Sequence, residues 1–210
     1  MLDLGAPAAL RREQGVRLSR EAYKREFRER DAAIIGRDSW KLERRQHFEE
    51  QGSPSRDALS RGEWAESLRL MAERREKLLA VAREDERRRS LFHRVRVVEQ
   101  PLTPYLQWEL HSLRQQAACG MRVRVIGAGA VASSENGGLL PELVVLGGDV
   151  LYEVIYTESG VPDGAVRHSD PDIIKGWESY IKYLYRAGEE VTSYFDREVA
   201  HLPPPTPKAD

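Results

Sequence analysis

The sequence predicts an α+β fold: a mixed sheet holding one strand–helix–strand unit and one hairpin, closed by a long helix and preceded by a helical segment. Three observations predict it. "HRVRVV" (His93–Val98) and "MRVRVI" (Met121–Ile126) alternate apolar and basic residues as half-buried strands do, and leucines at helical spacing separate them. "ELVVL" and "VLYEVIY" flank Gly147-Gly148-Asp149, a connection short enough to need positive φ and so an antiparallel turn. Ile174, Trp177, Ile181, Leu184, Val191 and Phe195 recur along one face of a helix.

Residues 1–90 read as a helical N-terminal region packing on the domain that follows. Ser19 caps a charged helix through about Arg30, with Tyr23 and Phe27 four apart on one face. Gly52-Ser-Pro-Ser marks a loop. Ser60 and Glu63 have capping-box spacing ahead of a helix carrying Trp64, Leu68, Met71, Leu78, Leu79 and Ala82. The run Arg83–Arg89 reads as a solvated helix end.

Residues 91–200 form the mixed-sheet α/β domain. After the first alternating strand, Thr103-Pro104 opens a helix, proline sitting where its missing N–H costs nothing. Leu106, Leu110, Leu113 and Ala117 line one side, and Gly120 supplies the left-handed stop. A second strand so soon after a helix implies a βαβ unit with parallel strands. TESGVPDGA reads as a loop, Asp170-Pro171 as the start of the long helix, and Gly188 as a point where it ends or bends. Residues 201–210 are a disordered, proline-rich tail.

"RVRVIGAGAVASSENGG" (Arg122–Gly138) has the letters of a dinucleotide loop in Gly127, Gly129 and Ala132, with Asp149 at the distance of a ribose-binding acid. The residues that follow, SSENGGLLP, cannot make the helix whose amides hold the pyrophosphate, because two glycines and a proline interrupt it. No cofactor is expected. The five histidines lack metal-ligand spacing, so no metal is expected either, and serine nucleophile elbows are absent.

The repeated Arg-Val-Arg-Val is the more informative feature. If like residues align, Val95, Val97, Val123 and Val125 share the face under the Thr103–Ala118 helix, and Arg94, Arg96, Arg122 and Arg124 share the other. Such a basic face is covered by acids of the N-terminal helices, left to solvent, or built for phosphate or nucleic acid. Tyr105, Trp108 and Glu109 lie off the leucine stripe. They either form a pocket mouth at the carboxyl end of the parallel strands or pack on a neighbouring helix.

The composition narrows the options. Net charge is −1 over 210 residues, with 22 Lys/Arg against 18 Asp/Glu up to His93 and 11 against 16 beyond it, which is no nucleic-acid signature. Cys119 is the single cysteine, which excludes an internal disulfide and suits a reducing compartment. No leader of secretory type and no apolar run of spanning length occurs, so a cytoplasmic location is expected.

"RVRVVEQPLTPYLQWEL", "LPELVVLGGDVLYEV" and "DPDIIKGWESYIKYLYRA", with the upstream "SWKLERRQHF" and "GEW", resemble an actinobacterial domain-of-unknown-function family, DUF6879, over roughly residues 35–190. The specific part is the basic strand followed by Glu99, Pro101, Tyr105 and the Trp108-Glu109 pair. Tyr185 stands where the family usually has tryptophan, and Leu143-Val144-Val145-Leu146 where it usually has an aromatic-rich strand with an acid. More distantly, the element order resembles a degenerate phospholipase D-like half. The active form of that fold needs His-x-Lys, which this chain lacks.

The resemblance implies a regulatory or protein-interaction protein without catalytic activity, accessory to a neighbouring helix-turn-helix regulator. The alternative is a small-molecule or phosphate-ester binding domain, with an enzyme among its forms, that uses Arg94, Arg96, Arg122 and Arg124 with Tyr105, Trp108 and Glu109. Direct nucleic-acid binding is the third reading, and no membrane partner is expected.

Overall fold

The computed structural model describes residues 7–206. Eight strands and seven α-helices follow in the order β1 (Val16–Leu18), α1 (Arg20–Ala33), β2 (Ser39–Glu43), α2 (Pro54–Ser60), α3 (Trp64–Ala72), α4 (Arg75–Arg88), β3 (Phe92–Val98), α5 (Pro104–Ala118), β4 (Arg122–Gly127), β5 (Leu143–Leu146), β6 (Val150–Tyr156), β7 (Pro162–His168), α6 (Pro171–Ala187), β8 (Glu189–Glu190) and α7 (Val191–Glu198). The strands form a single sheet in the order β1-β7-β6-β5-β2-β3-β4-β8. The fold is α+β, as the sequence predicts.

The strand–helix–strand unit forms: β3 and β4 are parallel neighbours, with α5 between them in sequence. Ser19, Thr103 and Asp170 cap α1, α5 and α6 through their side-chain oxygens, and Pro104 and Pro171 occupy first-turn positions. Gly147 and Gly148 turn β5 into β6 at φ +56° and +75°. The stretch after β4 makes two short 3₁₀ turns and no crossover helix.

The front of the chain is not purely helical. β2 lies in the middle of the sheet, parallel to β3 on one side and antiparallel to β5 on the other, and β1 forms an edge beside β7. Residues on both sides of position 90 therefore share one sheet and one core. Gly52-Ser-Pro-Ser is more than a loop, because Ser53 caps α2 and Pro54 begins it. The Ser60–Glu63 capping box does not form. Ser60 belongs to α2 and bonds back to Arg56, and Glu63 precedes α3 without a side-chain cap. TESGVPDGA contains most of the third meander strand, β7, and Gly188 ends the long helix so that α7 is separate. Of the tail, residues 207–210 lie outside the described region. Pro203 is tied down, its carbonyl accepting from Gln107 Nε2 at 2.7 Å.

Both sheet faces are covered. On one, Trp40, Leu42, Val95, Val97, Ile126, Leu143, Val145 and Leu151 pack beneath Ile174, Trp177, Tyr180, Ile181 and Leu184 of α6. On the other, Val98, Val123 and Val125 meet α5 and α7, while Val144, Tyr152 and Ala165 meet Tyr23 and Phe27 of α1.

The alignment of the repeat differs from expectation. Arg94 pairs with Val123, Val95 with Arg124 and Arg96 with Val125, a slip of one residue from like-with-like. Partnered residues on adjacent strands point the same way, so a one-residue slip exchanges faces. Val95 and Val97 sit under α6, and Val123 and Val125 under α5. The four arginines divide two and two, and the single basic face does not exist. Packing imposes the slip: each face has its own helices, and each needs two valines.

Candidate functional site

Three of the four arginines reach acids, but none of these acids comes from the N-terminal helices. On the α5 face, Arg96 is fully buried and its Nε donates to Glu109 Oε2 at 2.7 Å, with the guanidinium 5.5 Å above the Phe48 ring. Arg94 lies 3.3 Å from Glu43, which also meets Lys41 Nζ at 2.5 Å. On the α6 face, Arg124 pairs with Glu190 at 2.7 Å and covers Tyr185, while Arg122 is exposed. The acids are supplied by β2 and β8, whose strands neighbour the arginines in the sheet, and by α5.

Strict alternation along β2 places Trp40 and Leu42 on the α6 face and Lys41 and Glu43 on the other. Trp40 stacks on His93, its β3 partner, at 4.1 Å, which fixes the sides. Burial works against the charge on Glu43, but Arg94, Lys41 and Arg96 outweigh it and hold its pKa at about 2. Burial likewise opposes the charge on Arg96, whose pKa is nonetheless raised by Glu109, Glu43 and Glu142.

Tyr105, Trp108 and Glu109 are all buried and form no pocket mouth. Trp108 Nε1 donates to Ser55 Oγ of α2 at 2.9 Å, and the Tyr105 hydroxyl donates to Glu50 at 3.0 Å. They pack this helix on its neighbour, with Phe48 between. Arg44, which the sequence did not single out, is also buried: it meets Glu135 through Nε and Nη2 (2.6 and 2.9 Å) and Glu99 through Nη1 at 2.6 Å. Glu135 belongs to the glycine-rich stretch after β4, which is thereby fastened to the end of β2.

Glu142 accepts the backbone N–H groups of Arg44 and Arg45 through Oε1, while Oε2 is buried without a partner among the described residues. Burial and nearby Glu43 push its pKa up to about 7. A folded-state pKa above the unfolded value contributes stability below pH ~4.5 that is lost as pH rises through 7. Glu142→Gln is therefore expected to match the wild type near pH 5 and to exceed it by about 2 kcal/mol at pH 8, read from urea unfolding at the two pH values. An equal difference at both would contradict the assignment.

One cleft on the α5 face collects charge and aromatic surface. Its main cavity, of about 370 Å³, has Lys41, Phe92, Arg94 and Val144 of the sheet as floor and Tyr23, Lys24, Phe27 and Arg28 of α1 as wall. Lys24 and Arg28 are exposed and make no ion pair among the described residues, and Glu43 is the acid that balances Lys41 and Arg94. Of the seven residues singled out in the sequence, Arg94 alone lines this cavity. Arg96 lies in the ion cluster on the same face, and Arg122 and Arg124 are on the far side. The signal for the α1 wall was present in the sequence: Lys24 and Arg28 each follow an aromatic of the Tyr23/Phe27 pair, so all four border one helix edge.

The family model described as "Domain of unknown function (DUF6879)" matches residues 25–196. The chain belongs to that family. The match runs from within α1 to within α7, so the DUF6879 region contains Phe27, Arg28, Lys41, Phe92, Arg94 and Val144 of the cleft, and Tyr23 and Lys24 just precede it. No curated protein matches the chain. Among the described residues no cluster of three or more His, Cys, Asp or Glu has metal-binding geometry, and no helix is long and apolar enough to cross a membrane.

Proposed function

We propose that this DUF6879 protein binds a small anionic molecule of the phosphate-ester class in the cleft between α1 and the sheet. The observation that carries this reading is the convergence of Lys24, Arg28, Lys41 and Arg94 on one cavity, with Glu43 as counter-charge and aromatic rings alongside. Arginine forks and lysine ammoniums suit phosphate oxygens, and the volume suits a small ligand.

Occupancy of such a site is a signal, and the accessory role that the family resemblance implies would use it. In this reading the protein is cytoplasmic, carries no catalytic set, and reports ligand to a helix-turn-helix regulator. Co-purification with that regulator, changed in yield by ligand, is the expected result.

Thermal unfolding in the presence of phosphorylated sugars tests the binding step. A ligand at a hundredfold its Kd stabilises by about 2.7 kcal/mol, which is roughly 5–10 °C for a chain of this size. The shift should shrink with added salt and be lost in Lys24→Ala/Arg28→Ala, two exposed positions whose replacement leaves the core intact. No shift at millimolar ligand with any phosphate ester would overturn the reading.

A further inference from the structure

The cleft does not end at its cationic cavity. A second compartment of about 220 Å³ adjoins it, and Phe27, Phe92 and Arg94 line both. At this waist the Phe27 and Phe92 rings lie 6.4 Å apart at 53°. Beyond it the chemistry changes. Val81, Met121 and Val123 supply apolar walls, while Asp31, Asp85 and Gln116 supply acceptors.

Arg88, buried between α4 and α1, holds the two aspartates. Its Nη2 lies 2.8 Å from Asp85 Oδ1 and 3.5 Å from Asp31 Oδ2. Among the described residues, Asp85 Oδ2 and Asp31 Oδ1 make no hydrogen bond or ion pair. The cleft is thus cationic at one end, aromatic at the waist, and apolar with hydrogen-bond acceptors at the other.

We infer that its ligand is a nucleoside monophosphate whose base carries an exocyclic amino group. The phosphate lies among Lys24, Arg28, Lys41 and Arg94, and the base passes Phe92 into the second compartment. There its amino N–H groups donate to the open oxygens of Asp31 and Asp85. Base faces stack on aromatic rings whatever their sequence, and carboxylates select amino-bearing edges. A sugar phosphate alone fills the first compartment and leaves the second unused. This inference rests on the phosphate-ester reading and names the rest of the molecule.

Isothermal titration calorimetry with AMP, UMP and ribose 5-phosphate tests it on the full chain. AMP is expected to bind at least tenfold more tightly than ribose 5-phosphate, and more tightly than UMP, whose base lacks the amino group. Val81→Trp fills the second compartment from an exposed helix position. It should remove the advantage of AMP and leave ribose 5-phosphate affinity within about twofold. AMP binding no tighter than ribose 5-phosphate, or an advantage untouched by Val81→Trp, overturns the nucleoside inference while the phosphate-ester reading stands. Failure of all three to bind overturns both.

Discussion

Residues 91–206, expressed without the segment before them, are expected not to fold. Removing that segment takes out β2, which pairs with β3 and β5 at once, and leaves two strand edges facing each other across a gap. It also removes Trp40 and Leu42 from the core under α6, and Glu43 from between Arg94 and Arg96. Unpaired backbone groups on two strands and the loss of Trp40 and Leu42 from the core are each costly, and a domain with a margin of about 5–15 kcal/mol cannot absorb both. The expected observation is poor amide dispersion by NMR and no cooperative urea transition. A cooperative transition in this fragment would mean that residue 90 is a true domain boundary and that β2 is dispensable.

Glu109→Ala carries the second largest effect. Arg96 is fully buried, and Glu109 is the side-chain acceptor of its Nε proton. Removing one partner of a buried pair leaves the other charged and desolvated, a loss of about 3–5 kcal/mol. For a chain of this length that lowers the melting temperature by roughly 6–20 °C. Replacing both partners with apolar residues, Arg96→Met with Glu109→Leu, should recover part of the loss, because neither partner is left as a stranded charge and Glu43 keeps Lys41 and Arg94. A cost under 1 kcal/mol for the single variant, or a double variant as unstable as the single, would show that the pair is not the centre of the cluster.

The parts of the fold legible in sequence are those with local causes. Caps at Ser19, Thr103 and Asp170, the glycine turn at 147–148 and the alternating strands β3 and β4 announce themselves through backbone chemistry and period. β2 did not, because "SWKLE" is short and sits among charges, and its Lys41 and Glu43 face a buried ion cluster that no periodicity reveals. β7 was hidden by Pro162 and Gly164. The glycine is needed where it is, since at φ +102° a Cβ there would sit 2.2 Å from the Leu18 carbonyl oxygen of β1. That close approach is invisible until β1 is known to be the neighbour.

Register was the decisive omission. Two identical tetrapeptides suggest alignment of like with like, yet register follows from which helices must be seated on which face, a long-range property. The slip divided the arginines and relocated the candidate site. It brought Arg94 together with Lys41 and the basic edge of α1, and it left Arg122 and Arg124 with α6 and β8 on the opposite side.

That division is what calorimetry can test most directly. Titrating ribose 5-phosphate and AMP into Arg94→Met and Arg122→Met, each shown by circular dichroism to be folded, places the two arginines on different surfaces of one sheet. Affinity is expected to fall at least tenfold in Arg94→Met and to stay within about twofold in Arg122→Met. Equal losses in both variants, or undiminished binding in Arg94→Met, would contradict the cleft assignment and the register on which it stands.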